Sequence, residues 1–347
     1  MARHINVPVF IPHLGCPNQC VFCNQRTISG TERFDPDGVR DIIEEALSTA
    51  APDDECEIAF FGGSFTGIDR TLILRLLSIS DELYDAGRIC SVRCSTRPDY
   101  IDDEILDILA EHHVKTVELG LQSTCDDVLS ASRRGHTRED EERACRLITA
   151  RGFSLVGQMM IGLPGSTLEK ELETARFIIE SGAVGARIYP TVVFRDTPLC
   201  MLAERGEYAP LSVEDAVERS ASVLSLFVDA GIPVIRIGLC SSDNLSSEDK
   251  YFAGPNHPAL GELVESRLYL KKITEKIESA KIRSSSLRIH IPRGAMSKAI
   301  GQKRENKRRL SALFGIDRLS FIEEESLPEY NVEISEERKE DNVFKIT

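Results

Sequence analysis

Along the first two thirds of the chain, short apolar runs alternate with stretches in which apolar residues recur every three or four positions. INVPVFI (5–11), EIAFF (57–61), ICSVRC (89–94), KTVEL (115–119), FSLVGQMMI (153–161), VGARIYPTV (184–192) and IPVIRI (232–237) read as strands. The stretches between them read as helices: after Asp69, for example, Leu72, Ile73, Leu76, Leu77 and Leu83 mark one helical face. Ser166 with Glu169, and Ser212 with Asp215, have capping-box spacing at two helix starts. Gly87, Gly152, Gly182 and Gly231 each stand between a helix and the next strand, where a left-handed C-terminal residue is expected. Regular strand–helix alternation predicts an α/β fold: a parallel sheet with helices outside. No G-x-G-x-x-G follows the first strand, so a barrel-like curl is expected rather than an open dinucleotide-binding sheet. In either arrangement ligands collect at the C-terminal ends of the strands.

The pattern changes after residue 237. Residues 238–258 are polar and loop-like, and a helix follows around 259–279. A small α+β unit comes next: a strand at 286–291, a helix pair around 296–314, and strands near 317–322 and 329–334. The expected layout is a barrel (1–237), an extension (238–280), a small basic unit (281–335) and a solvated tail (336–347).

With 41% hydrophobic and 28% charged residues among 347, the composition is that of a globular protein. No run reaches the length of about 18 apolar residues that crosses a bilayer, so no membrane partner is expected. The N-terminus lacks the layout of a secretory signal, which implies a cytoplasmic protein. Its ten cysteines then point to metal binding or buried thiols rather than disulfides. The formal net charge of −14 argues against nucleic acid for the whole chain, but the charge is uneven. Residues 281–309 carry ten Lys or Arg and one acid, Glu305.

The sequence after the first strand is HLGCPNQCVFCNQ. Cys16, Cys20 and Cys23 lie in C-x3-C-x2-C spacing on a short loop. A [4Fe–4S] cluster takes one protein ligand per iron, so three cysteines leave one iron open. Two other readings stand beside this one. Zinc normally takes a fourth Cys or His, and His13 is three residues upstream. Three buried structural thiols are the other. Cys56, Cys90 and Cys94 lie in or beside strands and read as buried small hydrophobes; Cys240 follows a strand end.

CPNQCVFC, with Phe22 before the third cysteine, resembles the signature of the radical S-adenosylmethionine (SAM) superfamily. FFGGSFTG (60–67), STRPDYI (95–101), LGLQS (119–123), SRRGHT (132–137), MMIGLPG (159–165) and RIYPTVVFRDTPL (187–199) resemble the branch that contains the elongator catalytic subunit. That branch is related to the oxygen-independent coproporphyrinogen oxidases. The resemblance covers roughly residues 5–270 and implies a partial (β/α)6 TIM-like barrel. It also implies a [4Fe–4S] cluster on Cys16, Cys20 and Cys23, SAM as second cofactor, and a 5′-deoxyadenosyl radical as product of reductive SAM cleavage. Carried over position by position, Gly62, Gly63 and Ser64 would face the methionine amine of SAM. Arg134 would pair with its carboxylate. Gln122, Ser123 and Gln158 would serve the ribose side, Ser95 would be a further contact to SAM, and the Gly162-Leu163 turn would pass the adenine. Ser64 and Ser95 stand where relatives have Glu, and Gln158 where some have Asp. Arg187 and Tyr189 are candidates to face a substrate. HPALGELVESR (257–267) resembles the extension that follows the barrel in this branch. The elongator subunit continues into an acetyltransferase domain; none fits in this sequence, so acetyl-CoA chemistry on the same chain is not expected.

SLRIHIPRGAMSKAIGQKRENKRRLSALFGIDRLSFIEE (286–324) resembles part of a KH domain, in which a G-x-x-G loop between two helices clamps a nucleic-acid backbone. Here the loop is Gly301-Gln302-Lys303-Arg304, with Arg at the second glycine. Lys298, Lys303, Arg304, Lys307, Arg308 and Arg309 are the candidate phosphate contacts. These features together point to a radical SAM enzyme that modifies RNA, tRNA above all, fed by a one-electron donor such as flavodoxin or ferredoxin. The alternatives are a radical SAM oxidoreductase acting on a small molecule such as a porphyrin-like carboxylate, and a non-enzymatic iron–sulfur RNA-binding module.

Overall fold

The computed structural model describes residues 3–16, 20–29, 34–239, 249–282 and 284–336. Cys240 and the tail beyond residue 336 lie outside them. β1 (His4–Ile11), β2 (Glu55–Gly62), β3 (Ser91–Thr96), β4 (Val114–Gln122), β5 (Ser154–Ile161) and β6 (Gly185–Pro190) form one parallel sheet in chain order. β7 (Val193–Phe194) leaves the sheet, and β8 (Val234–Ile237) completes it beside β6. β1 and β8 do not pair, so the curled sheet is an open half-barrel. β7 instead pairs antiparallel with β9 (Tyr251–Ala253), a strand inside the segment that composition marks as loop.

Helices cover the convex face. α1 (Gln25–Ser29) and α2 (Val39–Ser48) follow β1, α3 (Arg70–Asp85) follows β2, and α4 (Asp103–Glu111) follows β3. α5 (Asp126–Ala131) and α6 (Arg138–Ala150) follow β4, α7 (Leu168–Glu180) follows β5, and α8 (Pro198–Glu204) and α9 (Val213–Asp229) follow β6. Period-two alternation decides what each face shows. In β1, Val7, Val9 and Ile11 are buried against the helices, while Asn6, Pro8 and Phe10 stay exposed on the concave side. In β3, Val92 and Cys94 face the helices, and Arg93 and Ser95 face inward.

Some boundaries differ from the sequence reading. β3 starts at Ser91, two residues into the apolar run ICSVRC, and continues through Ser95 and Thr96, because these pair with Glu118 and Leu119 of β4. Cys56 and Cys94 are buried, whereas Cys90, just before the ladder, is exposed. Ser212 caps α9 by accepting from the Asp215 amide at 3.0 Å, as its spacing implies. α7 is capped by Thr167, not Ser166; Ser166 Oγ donates instead to the Glu171 carboxylate at 3.1 Å.

α10 (Leu260–Ser279) leads to a small unit built from β10 (Ser286–Pro292), α11 (Met296–Ile300), α12 (Glu305–Phe314), β11 (Arg318–Glu324) and β12 (Glu333–Glu336). β10 is central, parallel to β11 and antiparallel to β12. Leu260, Val264 and Leu268 of α10 join the half-barrel core. Tyr269, Ile273 and Ile277 join Ile289, Ile291, Leu310 and Leu319 in a second core. No helix among the described residues is long and apolar enough to cross a membrane.

Candidate functional site

The cysteine loop leaves the C-terminal end of β1 and is stitched to the ends of its neighbours. The Gly63 amide donates to Ile11 O at 2.8 Å and the Ser64 amide to Leu14 O at 3.0 Å. Further along, Val21 N donates to Ser132 O after α5, and Leu199 N of α8 donates to Val21 O. The backbones approach so closely that only glycine fits: a Cβ at Gly15 would lie 2.1 Å from Ser64 O, and one at Gly63 would lie 2.1 Å from Leu14 O. The Gly62-Gly63 pair thus fastens the loop to β2.

Cys16, Cys20 and Cys23 line a cavity of about 1050 Å³ at the C-terminal mouth of the strands. Gly62, Gly63, Ser95, Gln122, Arg134 and Gln158 line the same cavity. Its size suits a cofactor-sized ligand. Burial, followed by the neighbouring Cys20 and Cys16 sulfurs, pushes the Cys23 thiol up to about 12. A buried thiol of this kind becomes a thiolate when positive charge is placed beside it. Among the described residues, no three His, Cys, Asp or Glu side chains converge on a point that one metal ion could occupy. His13 accepts from the Gln25 amide at 3.1 Å, so it is engaged elsewhere. The donor set therefore fits a cluster that gives each sulfur its own iron better than it fits a single zinc.

The wall opposite the loop carries polar atoms without protein partners. Arg134 is buried; Nη2 donates to Gly120 O at 2.5 Å, Nη1 lies 3.3 Å from Cys20 Sγ, and Nε is unpaired. Gln122 sits at a register shift of β4 with φ +71°, and its Oε1 is buried and unpaired. Left-handed backbone at a non-glycine strand end is strain of the kind that gathers at functional sites. Arg97 is a cavity residue that sequence reasoning did not single out. Its signal was its place in the STRPDYI motif, two residues before Asp99.

Four expected cofactor contacts lie outside the cavity wall. Ser64 is fully buried, with Oγ 2.8 Å from Thr96 Oγ1 and accepting from the Arg97 amide at 3.3 Å. Ser123 turns into the start of α5, accepting from Cys125 N at 3.3 Å. Gly162 N donates to Glu171 at 2.7 Å, its carbonyl accepts from the Tyr208 hydroxyl at 2.7 Å, and Leu163 is buried. Local hydrogen bonds already use the polar groups of all three polar positions.

Below the cavity, charge fills the concave floor. Gln158 Nε2 donates to Ser95 Oγ at 3.2 Å and to Glu118 Oε2 at 2.8 Å. Arg187 grips Glu118 with two bonds, at 2.7 and 2.8 Å, and its guanidinium lies 5.5 Å from the Phe61 ring centre. Arg93 bridges Glu118 and Glu57. Arg187 is thus a buried member of the site region, coupled to the cavity through Gln158.

In the small unit, Gly301 is buried with φ +78°, and a Cβ there would press on Asn306 at 3.0 Å, so its role is packing rather than surface contact. Lys303 and Arg304 follow with φ +50° and +62°. Lys298 is tied to Glu265 at 2.9 Å, and Arg309 to Glu305 at 2.5 Å, which removes both from the set of free cations. Lys303, Arg304, Lys307 and Arg308 have no ion-pair partner among the described residues.

The family model described as Radical SAM superfamily matches residues 10–178, and the Radical SAM C-terminal domain matches residues 183–270. The tRNA uridine(34) acetyltransferase of Methanocaldococcus jannaschii is 30% identical over 196 residues, covering 51% of this chain and 36% of that protein. Human Elongator complex protein 3 is 30% identical over 215 residues, covering 56% of this chain and 39% of its own. The chain therefore spans well under half the length of these curated relatives. The solved archaeal Methanocaldococcus infernus Elp3, lacking its N-terminus, superposes with TM-score 0.59 at 23% identity over 82% of this chain and 64% of that one, a likeness of fold.

Proposed function

The chain belongs to the radical SAM superfamily, and from that premise we propose that it modifies RNA, specifically tRNA. Its cofactors are a [4Fe–4S] cluster and SAM. In this reading Cys16, Cys20 and Cys23 hold the cluster, and the unpaired Arg134 Nε and Gln122 Oε1 meet polar groups of SAM. When bound, the pair supplies a 5′-deoxyadenosyl radical that takes a hydrogen atom from the substrate. The residues of the chain fix the loop through Gly15 and Gly63, screen the cavity floor with the Glu118–Arg187 pair, and present Ser95 and Gln158 to the ligand. A flavodoxin- or ferredoxin-class donor delivers the electron.

The observation that carries the RNA reading is the set of cations Lys303, Arg304, Lys307 and Arg308, without ion-pair partners among the described residues, on a unit anchored to an acidic half-barrel. Phosphate contacts release counterions, so such binding weakens steeply with salt. The tRNA activity in the name of the M. jannaschii relative supports the same substrate class. The test is tRNA binding by the full chain across a salt series. Replacing all four cations with Ala is expected to abolish tight binding at low salt and flatten the log–log slope by roughly 3, at about 0.7 per single-strand phosphate contact. Absence of binding at low salt, or an unchanged slope in the variant, overturns the RNA assignment. Mass spectrometry of RNA from cells lacking the protein would then name the product.

A further inference from the structure

Two guanidinium groups stand against the cysteine loop, and the second has no counterpart among the residues assigned so far. Arg97 follows β3 directly and is 3% exposed. It lines the same cavity as Cys16, Cys20 and Cys23. Asp99 holds it from behind: Nε donates to Oδ1 at 2.9 Å, and Nη2 donates to Oδ2 at 2.8 Å. Nη2 also donates to the backbone oxygen of Arg134 at 2.5 Å. A rigid fork is thereby fixed on two edges. Its remaining nitrogen, Nη1, is buried and has no hydrogen-bond partner among the described residues. An unpaired buried guanidinium nitrogen costs stability unless something occupies the space beside it.

The charges around this fork are few. Arg97 shares the cavity wall with both Cys16 and Cys20. Asp99 next faces His136, whose Nδ1 lies 3.9 Å away and whose Nε2 is 3.0 Å from Glu141 Oε1. Burial, then the positive Arg134 and Arg97, push the His136 imidazole down to about 3, so it is neutral. Asp99 therefore has Arg97 as its one charged partner within ion-pair distance among the described residues, and Arg97 and Arg134 together outweigh it.

We infer that Arg97, held by Asp99 on the cavity wall it shares with Cys16, Cys20 and Cys23, raises the cluster's reduction potential through its charge. The reduced cluster carries one more negative charge, which a nearby buried cation stabilises. The electron comes from an external one-electron donor, and no bond forms or breaks on its arrival.

The inference rests on the three cysteines holding the cluster, and the experiment separates the two. Full-length protein is reconstituted anaerobically, its iron is counted, and its midpoint potential is read by a spectroscopically monitored redox titration. Arg97→Gln is expected to disfavour reduction about tenfold, about 59 mV for one electron. Asp99→Asn removes a negative charge and is expected to shift the midpoint upward. Arg97→Lys keeps the charge and is expected to stay near the parent value. A merely structural clamp would move Arg97→Gln and Asp99→Asn in the same direction, since both break the same pair of bonds. Same-direction shifts, equal midpoints throughout, or iron loss in all three variants overturn the inference. If Arg97→Gln alone loses iron, Asp99→Asn still has to shift the midpoint upward while Arg97→Lys stays near the parent value. Failure of the cysteine assignment looks different: the parent protein takes up no iron, or Cys20→Ala retains about four.

Discussion

Glu118 is fully buried at the centre of the concave face, and it keeps its charge because three donors converge on it. Burial raises its pKa, but Arg187, Arg93 and Gln158 together outweigh burial and hold the carboxyl below its ordinary 4.5. Removing one partner of such a group leaves a stranded charge. Arg187→Met is accordingly expected to cost about 3–5 kcal/mol in urea unfolding. The pH dependence has a definite sign. A depressed carboxylate contributes stability that is complete above its unfolded pKa and disappears as pH falls through the folded one. The parent protein should therefore lose stability as pH drops below about 4.5, and Glu118→Gln should lack that component. Parallel curves for parent and variant between about pH 6 and about pH 3 would remove Glu118 from this role. The sequence made the cysteines, Gly62-Gly63 and Arg134 legible because they sit in short ordered motifs. It hid the Glu118 network and the turned-away Ser64, because their partners lie 25 to 69 positions distant and meet only once the sheet curls.

Elements meet the site chiefly through their ends, and there the glycines carry different burdens. Gly63 and Gly15 interlock β2 with the cysteine loop: a Cβ added at either would lie 2.1 Å from a backbone oxygen, a clash that no side-chain rotation relieves. Gly87, after α3, has φ +68° and open space where a Cβ would stand. Gly87→Ala is thus expected to cost only the left-handed strain of about 1–2 kcal/mol, with full iron uptake. Gly63→Ala is expected to displace the loop and lose most of its iron, read as iron per chain after reconstitution. Full iron in Gly63→Ala would mean that the loop does not depend on this interlock. The helix–strand pattern marks Gly87 and the motif FFGGSFTG marks Gly63, but neither ranks them, since the ranking depends on which backbone passes alongside. The same limit explains the cap of α7: Ser166 and Thr167 both suit an N-cap, and the Glu171 carboxylate, held by Arg219 and the Gly162 amide, draws Ser166 away.

At the scale of the molecule, α10 decides how barrel and basic unit behave together. Composition marks a boundary near residue 280, where charge turns positive, but packing runs through it. The first half of α10 is bound into the barrel core, and the second half supplies Tyr269, Ile273 and Ile277 to the other core. A continuous helix cannot unfold at one end without weakening the ladder of the other. Additional ties cross at the same place: Asn306 Nδ2 donates to Ser266 O at 2.8 Å, and Lys298 pairs with Glu265. Sequence could not expose this sharing, because one amphipathic stripe reads the same whether it faces one core or two. Ile273→Ala, which opens a cavity only in the small unit, should cost about 2–5 kcal/mol. Because α10 spans both cores, that loss is expected to lower a single thermal transition for the whole chain. Two separated transitions, with the barrel transition unmoved, would mean that the units are only tethered. The cations on the small unit would then stand at no fixed distance from the cysteine loop, and RNA bound there would reach the radical site only by diffusion of the tether.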